Sequence, residues 1–319
     1  MRALLTRLRD DRKREKVLVE DFPDPGSPSG NQVRTGTVYS GLTNGTERND
    51  LLRGNYAHAD EELPAGCGYQ NVGEIIEIGA DVRHLSIGDL LYMSRDHMEF
   101  CLEPEDGLHV MLLGEVEPTD AALFGMASVA MRSCRHAELH IGDKFLIVGA
   151  GFIGQVAAQI ANVMGARVTL CDIDDRRLTT ARQIGAAEDV IDVSDNSWDQ
   201  HIRNADFSAV LDVAGVPGME DRIIDAVQKR GTVLFIAGRD KVEYTFNLGQ
   251  DHEIMIKQNN HFDKSDLDNL FRLVRRGLVR ITPLIQDTLP VSQAKRVYDT
   301  LVDEPTKLLG TVFDWSKTQ

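Results

Sequence analysis

The segment "DKFLIVGAGFIGQVAAQIANVMGARVTLCDI", residues 143–173, constrains the fold of this chain more than any other. Its run "FLIV" is apolar at every position, which is typical of a strand buried on both faces of a parallel sheet. An apolar stripe at spacings of three and four residues follows and predicts a helix with one buried face. The members of this stripe are Ile153, Val156, Ala157, Ile160, Val163 and Met164. A second apolar strand comes next, so the segment predicts a βαβ unit.

The same alternation continues to about residue 281. The apolar runs "RVTLCDI", "DVIDV", "AVLDVAG" and "GTVLFIAG" are separated by helical segments, one of which is "MEDRIIDAVQKR". Strands that alternate with helices in this way predict a doubly wound parallel sheet. We therefore predict an α/β domain over residues 121–281.

The flanking regions differ from this pattern. Residues 1–120 are rich in Gly and Pro and contain short alternating runs such as "MRALLTR" and "QVRTGTVYSG", which predict a small β-rich domain. After about residue 282, the segments "PLIQDTLPVS" and "LLGTVFDW" leave the βα alternation. We predict that residues 282–319 return to the first domain, so that the α/β domain interrupts the β-rich one.

Three glycines, Gly149, Gly151 and Gly154, form a GxGxxG pattern between the first strand and the first helix of the α/β domain. The first glycine permits a tight turn, the second lets the backbone approach a pyrophosphate, and the third lets helix and strand pack closely. The helix N-terminus favours the negative charge. Together with Phe152 and Ile153, which lie inside the pattern, these glycines form the predicted pyrophosphate loop of a dinucleotide site.

An acidic residue, Asp172, ends the next strand 18 residues after Gly154. A carboxylate at this place accepts hydrogen bonds from the ribose hydroxyls and repels a 2′-phosphate, which favours NAD(H) over NADP(H). Arg176 and Arg177 follow closely and soften that preference, and Arg177 is a predicted cofactor contact. Two alternatives stay open: a similar sheet that binds no dinucleotide, and Asp172 as an ordinary surface charge.

Composition excludes several classes of partner. The net charge of −15 over 319 residues argues against nucleic acid and against anionic membrane surfaces. The N-terminus carries neither a long apolar core nor a small-residue cleavage site, and no run approaches the roughly 18 apolar residues that span a bilayer. The four cysteines, at 67, 101, 134 and 171, lie far apart without a CxxC pair, which is typical of reduced thiols in a cytoplasmic protein.

Three further stretches carry a family resemblance: "GEIIEIGADVRHLSIGDLLY", "TPLIQDTLPVSQAKRVYDTLVDEP" and "SGLTNGTERNDLLRG". With the order of the domains, they make the chain resemble the medium-chain dehydrogenase/reductase superfamily. The resemblance is strongest to its threonine/sorbitol-dehydrogenase-like branch and to the zinc-lacking bacteriochlorophyllide dehydrogenase. It implies a GroES-like β-rich domain interrupted by a Rossmann domain. It also implies a homodimer or homotetramer paired at Rossmann sheet edges, for which "TVLFIAGRDKVEYTFNL" is a candidate.

The resemblance raises the question of zinc. Zinc-containing members carry Cys in a "GIC" motif and His-Glu in a "GHE" motif, whereas this chain has "GLT" with Thr43 and "GYQ" with Tyr69 and Gln70. The position of a further ligand falls near Gly125. A hydroxyl, a phenol and an amide do not make a tight zinc site. Residues 90–112 contain only Cys101 in place of a four-cysteine lobe, so we predict no metal, catalytic or structural.

The same polar residues are the candidate catalytic group. Thr43, Tyr69 and Gln70 are expected beside the nicotinamide, where Tyr69 could donate or accept the substrate proton. Glu47 is a candidate base if burial raises its pKa, and Arg48 a candidate anchor for an anionic substrate group. The alternatives are a hydrogen-bonded turn for Tyr69 and Gln70, and a structural salt bridge for Glu47 and Arg48.

The resemblance implies other cofactor contacts. The strand ends "VAGVPG" and "IAGR" place Ala214 and Gly238 against the ribose and nicotinamide, and Asn259 in "KQNNHF" lies in a segment that approaches the cofactor in relatives. His261 in the same segment could donate a proton, although a satisfied or surface histidine is the commoner role.

The leading hypothesis is therefore a zinc-independent NAD(H) oxidoreductase that interconverts a secondary alcohol and its ketone. The substrate would be a small molecule of the polyol, sugar-derived or specialised-metabolite type. Two alternatives remain: a zinc-free reductase of C=C bonds in enones or quinones, and a non-catalytic NAD(H)-binding protein. The acidic residue at 172 counts against the first alternative, because such reductases more often use NADPH.

Overall fold

The structure is a computed structural model that describes residues 1–195, 197–203 and 205–316. The chain divides into two compact units. Unit 1 comprises Met1–Gly125, Asp263–Phe271 and Ile285–Gln319, and unit 2 comprises Met126–Phe262 and Arg272–Leu284. Within the described residues, no helix has both the length and the apolar character needed to cross a membrane.

The regular elements follow one another along the chain. The strands are β1 Ala3–Leu8, β2 Arg14–Val19, β3 Gln32–Gly41, β4 Ala65–Gly66, β5 Asn71–Ile78, β6 Leu90–Met93, β7 Phe100–Pro104, β8 His109–Met111, β9 Lys144–Val148, β10 Arg167–Asp172, β11 Asp189–Asp192, β12 Phe207–Asp212, β13 Val227–Phe235, β14 Met255–Lys257, β15 Ile285–Pro290 and β16 Gly310–Asp314. The α-helices are α1 Asn44–Leu51, α2 Pro118–Ala121, α3 Phe124–His136, α4 Phe152–Val163, α5 Asp175–Ile184, α6 Ser197–His201, α7 Glu220–Asp225, α8 Phe246–His252, α9 Lys264–Arg275 and α10 Ala294–Asp303. Short 3₁₀ turns span Asp60–Glu62, Thr282–Leu284, Val291–Gln293 and Pro305–Lys307.

Unit 1 is built on two sheets. A three-stranded sheet has the order β2-β1-β4, and a larger one has the order β15-β16-β3-β5-β6-β8 with β7 also paired to β3. The long strand β3 holds this larger sheet together, because it pairs antiparallel with β5, β7 and β16. The late strands β15 and β16 therefore belong to the same sheet as the early ones, and α10 packs its apolar face into that core through Val297, Tyr298 and Leu301.

Unit 2 contains a six-stranded sheet in the order β11-β10-β9-β12-β13-β14, and every pairing in it is parallel. Its inner strand β9 is buried from Phe145 to Val148, as the run "FLIV" predicts. The fold class predicted from the sequence, a β-rich domain combined with a doubly wound parallel sheet, is confirmed. The parallel arrangement brings the carboxyl ends of β9, β10 and β12 to one edge, where ligands bind in open α/β sheets.

Three details differ from the sequence-based expectation. The predicted helix "MEDRIIDAVQKR" ends at Asp225, and β13 already begins at Val227, because Val227 is buried against the sheet while the polar residues after it point to solvent. Val163 of the predicted apolar stripe is 42% exposed, since α4 ends there. The segment "TVLFIAGRDKVEYTFNL" was a candidate for the sheet edge that pairs two subunits. Its strand, β13, does not lie at the edge, because β14 pairs with it on the outer side.

A glycine at the end of β3 provides a test of the packing in unit 1. A Cβ at Gly41 would overlap the carbonyl oxygen of Ala122 and lie 2.8 Å from a methyl carbon of Leu123. Because backbone cannot yield as a side chain can, we expect Gly41→Ala to lower the free energy of unfolding by about 2–4 kcal/mol. Urea denaturation measures the change.

Gly45→Ala is the matched control for this substitution. Gly45 lies in α1 with open space around its Cβ position, so alanine there should change the stability by less than about 1 kcal/mol. Equal losses in the two variants would contradict the packing described for Gly41.

Candidate active site

The residue in the first of the family's metal-ligand positions, Thr43, is tied to Glu47. Thr43 is the N-cap of α1, and Glu47 lies four residues further along that helix. The Thr43 backbone N–H and its hydroxyl both donate to Oε1 of Glu47, each at 2.7 Å. Both residues are buried, with 1% and 2% of their surface exposed. The N-cap residue of α1 is thus hydrogen-bonded to the carboxylate of a residue in the first turn of the same helix.

Two residues that the sequence did not single out complete the surroundings of this carboxylate. His97 places Nε2 at 3.2 Å from Oε1 of Glu47, and the Tyr298 hydroxyl donates to Oε2 at 2.5 Å. The His97 ring packs edge-on against Phe313 and lies so close to Gly68 that a Cβ there would overlap it. Glu47 therefore joins three segments of unit 1 that are far apart in sequence: the start of α1, the segment of His97 and the helix α10.

Burial by itself would raise the pKa of Glu47, but His97, Lys16 and the Tyr298 hydroxyl more than offset it and hold the pKa at about 2. The hypothesis of Glu47 as a base required the opposite direction. A carboxylate with so low a pKa and with both oxygens hydrogen-bonded is a weak proton acceptor. That sequence-based suggestion is therefore corrected: the Glu47 carboxylate orients its neighbours.

A second buried carboxylate, that of Asp50, is hydrogen-bonded to Lys16, which also acts electrostatically on Glu47. Lys16, 1% exposed, donates to Oδ2 of Asp50 at 2.8 Å and to the Thr6 hydroxyl at 2.7 Å. Arg14 donates to Oδ1 of Asp50 at 2.8 Å. Desolvation opposes the charge of Lys16, yet Cys67, Glu47 and Asp50 raise the pKa of its ammonium group above the ordinary value. Unit 1 therefore keeps a charged lysine in its interior.

Cys67 brings a thiol to the same region. Its Sγ lies 3.5 Å from the Leu4 carbonyl oxygen and 4.0 Å from the Tyr298 hydroxyl. Ligand atoms of Glu47, Cys67 and His97 all lie within 4.8 Å of one another. Burial raises the pKa of the Cys67 thiol. These are zinc-ligand residue types, although at positions different from the family's motifs.

The other two motif positions, Tyr69 and Gln70, lie side by side. The Gln70 amide donates to the carbonyl oxygens of Gly41 at 3.2 Å and Leu42 at 3.3 Å, immediately before Thr43. A Cβ at Gly125 would come within 2.7 Å of the Gln70 side chain and 2.8 Å of the Tyr69 ring. Thr43, Tyr69, Gln70 and Gly125 are thus brought together in unit 1.

The phenol of Tyr69 stays protonated at neutral pH. Burial raises its pKa to about 12, and a hydrogen bond with Thr46 lowers it by a smaller amount. Tyr69 as a residue is only partly buried. A protonated phenol is a hydrogen-bond donor, and it can supply a proton to an oxygen that becomes more basic.

Arg48 and Asn44, also on α1, are used for internal contacts. Arg48 donates from Nε to the Leu301 carbonyl oxygen at 3.1 Å, and the Asn44 amide donates to the Leu308 carbonyl oxygen at 3.1 Å. These bonds fasten α1 to the C-terminal segment of unit 1. The contact of Arg48 is thus with a backbone carbonyl and not the salt bridge considered from the sequence, and its role towards an anionic substrate group stays a prediction.

In unit 2, the glycines of the GxGxxG loop meet distinct steric demands. Gly149 has φ +109, a conformation that L side chains rarely adopt. A Cβ at Gly154 would overlap the Gly149 carbonyl oxygen. Gly151, the N-cap of α4, has open space on its Cβ side out to 4.0 Å, where Arg177 lies. The loop thus leaves backbone N–H groups accessible at the start of α4, where an anion is favoured.

Asp172, at the end of β10, is bound to the same loop. Its Oδ2 accepts from the Ala150 backbone N–H at 2.6 Å, and its Oδ1 accepts from those of Ile173 at 2.7 Å and Asp174 at 2.9 Å. An Arg177 nitrogen lies 3.9 Å from Oδ2. Asp172 therefore positions the glycine loop as well as carrying the charge predicted to face the ribose.

The ends of β12 and β13 are joined by an ion pair that the sequence did not reveal. Asp212 is 1% exposed; its Oδ1 accepts from the backbone N–H groups of Ala214 and Gly215 at 3.0 Å, and its Oδ2 lies 2.5 Å from Arg239. Arg239 also pairs with Glu220 at 3.3 Å. The loops that carry Ala214 and Gly238 are thereby held in place.

Two residues of the segment "KQNNHF" have internal contacts. Asn259 accepts a long hydrogen bond from the Ser133 hydroxyl at 3.4 Å. His261 stacks on Phe262 with ring centroids 4.3 Å apart, and burial lowers the pKa of its imidazole. Both contacts lie inside unit 2, and the roles of these residues toward a cofactor remain predictions.

The low pKa of Glu47 generates a prediction about acid stability. A carboxyl pKa of about 2 in the folded chain, against an ordinary 4.5, stabilises the fold above pH 4.5. That contribution, roughly 3 kcal/mol, is lost as the pH falls from 4.5 towards 2. We expect Glu47→Gln to destabilise the chain at neutral pH and to flatten the acid dependence of its urea midpoint. Glu61→Gln, at an exposed position, should keep the wild-type pH dependence. An unchanged slope in Glu47→Gln would contradict the assigned pKa.

Part of the chain, from α4 to α9, matches a known family. A family model described as zinc-binding dehydrogenase matches residues 153–275. This range begins in α4 and includes Asp172, Asp212 and Arg239, but it excludes Thr43, Tyr69 and Gln70. The match therefore concerns the α/β domain and gives no information about the metal-ligand positions.

Similarity also extends over most of the chain. Acryloyl-coenzyme A reductase from Metallosphaera sedula is 25% identical over 289 residues, covering 80% of this chain and 85% of that protein. Sorbitol dehydrogenase from Bos taurus is 23% identical over 322 residues, covering 89% of each. The solved structure of galactitol-1-phosphate dehydrogenase from Escherichia coli has a TM-score of 0.83 at 18% identity and covers 98% of this chain and 100% of its own, which shows a shared fold. These matches support membership of the chain in the medium-chain dehydrogenase/reductase superfamily and indicate an enzyme of the dehydrogenase type.

Proposed function

We propose that this enzyme is a zinc-independent, NAD(H)-dependent oxidoreductase that interconverts a secondary alcohol and its ketone. The observation that carries the proposal is the state of the family's metal-ligand positions. Thr43 is hydrogen-bonded to Glu47, Gln70 is hydrogen-bonded to two backbone carbonyls, and Tyr69 holds a protonated phenol. The polyol dehydrogenases among the relatives support the substrate class.

Catalytic zinc does not fit these residues. A tetrahedral zinc site takes thiolate, imidazole or carboxylate donors. A threonine hydroxyl that donates to a carboxylate and an amide nitrogen that donates to carbonyls offer none of these. The phenol of Tyr69, with a pKa of about 12, would have to lose its proton to become a ligand. We therefore assign no reaction step to a metal at this place.

The residues of unit 2 fit NAD(H), which supplies the transferred hydride. We assign the pyrophosphate to the loop of Gly149, Gly151 and Gly154 with its inner residues Phe152 and Ile153. Asp172 is assigned to the ribose hydroxyls, with Arg177 nearby. Further contacts are assigned to Ala214, Gly238 and Asn259. Because Asp172 also holds the Ala150 N–H, binding of the ribose and the shape of the pyrophosphate loop depend on one carboxylate.

Unit 1 supplies the proton. In ketone reduction the substrate oxygen becomes an alkoxide as hydride arrives, and a protonated Tyr69 stabilises it by donating its hydrogen. The hydrogen bond with Thr46 lowers the pKa of the same phenol, as a bond donated to the phenolic oxygen does, and such a bond leaves the hydrogen of the phenol for the substrate. Glu47 keeps Thr43 oriented, and Gln70 fixes the backbone before Thr43. Tyr69 is the proposed catalytic residue, and Thr43, Glu47 and Gln70 are positioning residues.

A second candidate function is reduction of a C=C bond conjugated to a carbonyl. The acryloyl-coenzyme A reductase relative, named for this kind of substrate, favours it. Tyr69 could then stabilise an enolate oxygen by the same hydrogen bond. The two candidates differ in the carbon that receives the hydride.

The test uses purified wild-type protein freed of metal by chelation. NADH consumption is followed with matched ketones, enones and acyl-thioester enoyl substrates, and NAD reduction with polyols and cyclic secondary alcohols. Turnover of an alcohol–ketone pair at full rate after chelation supports the proposal. Turnover of C=C substrates alone replaces it with the second candidate, and activity that returns only with zinc contradicts the zinc-free site.

Tyr69→Phe should separate chemistry from binding. Loss of the phenolic hydrogen removes the proton donor, so kcat should fall about 10²–10⁴-fold while the affinity for NADH stays within about threefold. Steady-state kinetics and NADH fluorescence titration give the two values. Tyr244→Phe is the matched control, because Tyr244 is 41% exposed and lies in unit 2. Equal kcat values in Tyr69→Phe and wild type would remove Tyr69 from the mechanism.

Asp172→Asn should weaken the binding of NADH and reduce the preference of the enzyme for NADH over NADPH. The loss of one charge-assisted hydrogen bond corresponds to about 10–100-fold in affinity for NADH, with a smaller loss or a gain for NADPH. Asp174→Asn is the control, since Asp174 caps α5 through the N–H groups of Arg176 and Arg177. It should reduce stability without changing the NADH/NADPH ratio. An unchanged ratio of NADH to NADPH affinity in Asp172→Asn would contradict the assignment of Asp172 to the ribose hydroxyls.

Three sequence-based predictions remain proposals. The functional domain boundaries are placed at residues 1–120 with 282–319 and at residues 121–281. The enzyme is proposed to be a homodimer or homotetramer located in the cytoplasm. Its partner is a small-molecule substrate, and neither nucleic acid nor a membrane is an expected partner, because the net charge is −15.

A further inference from the structure

A triad of charged side chains, Asp212, Glu220 and Arg239, lies at the end of β12 in unit 2. Arg239 lies 2.5 Å from Asp212 and 3.3 Å from Glu220. Asp212 is 1% exposed, Glu220 is 4% exposed, and the side chain of Arg239 is 11% exposed. Because two carboxylates meet one guanidinium group, the triad carries a net charge of −1 in a place largely shielded from water.

The guanidinium group is held firmly against its partners. Its Nε donates to the carbonyl oxygen of Ala237 at 3.2 Å, and its central carbon lies 5.0 Å from the centre of the Phe235 ring. Arg239 thus joins the end of β12, the start of α7 and the loop after β13. A charged group fixed in this way keeps its distance to whatever binds over these loops.

The triad is attached to the loops that are assigned to the cofactor. Oδ1 of Asp212 accepts from the backbone N–H of Ala214 at 3.0 Å. Ala214 in turn touches the glycine loop, since a Cβ at Gly149 would lie 3.1 Å from its nitrogen and 3.3 Å from its Cβ. Arg239 directly follows Gly238 in the chain. The triad therefore lies next to the residues that flank the pyrophosphate loop.

The order of the strands indicates which half of the dinucleotide lies over the triad. In the sheet, β10 and β12 lie on opposite sides of β9, and β13 follows β12. Asp172, which is assigned to the adenosine ribose, ends β10. With the pyrophosphate at the loop after β9, the nicotinamide half extends to the other side, over the ends of β12 and β13. The charge of the triad thus acts on the nicotinamide.

The nicotinamide ring is the part of the cofactor whose charge changes. It is positive in NAD⁺ and neutral in NADH, whereas the pyrophosphate is the same in both forms. A fixed negative charge stabilises the positive ring, while its effect on the pyrophosphate cancels when the two forms are compared. As the C4–H bond of NADH breaks and the hydride passes to the substrate carbon, the ring becomes positive, so the same charge stabilises the transition state.

We propose that the Asp212–Arg239–Glu220 triad biases the bound cofactor towards its oxidised form. Its net negative charge strengthens the binding of NAD⁺ relative to NADH and makes bound NADH a stronger hydride donor. This inference rests on the proposed function, because it requires a nicotinamide cofactor at this edge of the sheet. The three side chains are positioning residues, since they act through their charge and through the loops that they hold.

The experiment measures the dissociation constants of NAD⁺ and NADH for the full-length protein by calorimetric titration, without substrate. Glu220→Gln makes the triad neutral, and its amide oxygen still accepts from Arg239. Glu188→Gln is the matched control. Glu188 is paired with Arg167 at the start of β10, which is the opposite end of that strand from Asp172.

Glu220→Gln should raise the dissociation constant of NAD⁺ relative to that of NADH about 3–20-fold. The control should change this ratio by less than about twofold, because its charge is exposed and screened. A general loss of binding would affect both nucleotides equally and leave the ratio unchanged. If Glu220→Gln does not fold, Asp212→Asn takes its place, since its amide oxygen still accepts from the N–H of Ala214.

Two outcomes would contradict the inference, and they differ in what they say about the proposed function. An unchanged ratio in a folded variant that binds both nucleotides would overturn the role of the triad and leave the proposed function standing. A wild-type protein that binds neither nucleotide would overturn the proposed function and this inference with it.

Discussion

The structure of unit 1 depends on the hydrogen bonds that the buried Glu47 carboxylate accepts. Its four hydrogen-bond donors come from the start of α1, the segment before β7 and the helix α10. Removing a single donor would leave part of a buried charge without a partner, which is far more costly than losing a surface contact. Segments more than 200 residues apart are thus fixed by one side chain, since Tyr298 lies 251 residues from Glu47.

Under the proposed zinc-free mechanism, this arrangement fixes the geometry of the substrate-side residues without metal–ligand bonds. Hydrogen bonds of Glu47 and Gln70 join distant segments of unit 1. Thr43 is oriented by Glu47, and the backbone before it by Gln70. In the proposed mechanism, the phenol of Tyr69 stabilises the negative oxygen of the substrate, which is the function that a metal would otherwise serve.

Sequence patterns predicted the fold class because its signals are local. A strand buried on both faces, the GxGxxG loop and the acidic end of β10 all lie within 30 residues, and each imposes a particular backbone. The motif comparison likewise identified Thr43, Tyr69 and Gln70, which the structure brings together in unit 1. The prediction failed where a local pattern was ambiguous: Val227 fits an apolar helix stripe, yet its burial belongs to β13.

The remaining residues of the site could not be found in this way, because their roles depend on contacts between distant segments. His97, Tyr298 and Lys16 belong to no recognisable motif, and nothing near them in sequence indicates that they surround one carboxylate. Cys67 was expected only to be one of four unpaired thiols, and its sequence does not indicate that it lies near Glu47 and His97. The direction of the Glu47 pKa shift also depends on these partners, since burial alone would have raised it. Asp212 and Arg239 are a similar case in unit 2, with a pairing across 27 residues.

The most direct test of the account is the fate of the transferred hydrogen in a metal-depleted enzyme. NADH deuterated at C4 of the nicotinamide is incubated with chelated wild-type protein and a ketone that it turns over, and the product is analysed by mass spectrometry and NMR. The account predicts deuterium on the carbinol carbon of the secondary alcohol, with no need for added zinc. Deuterium found only on the β-carbon of a conjugated substrate, or transfer that occurs only after zinc is restored, would contradict it.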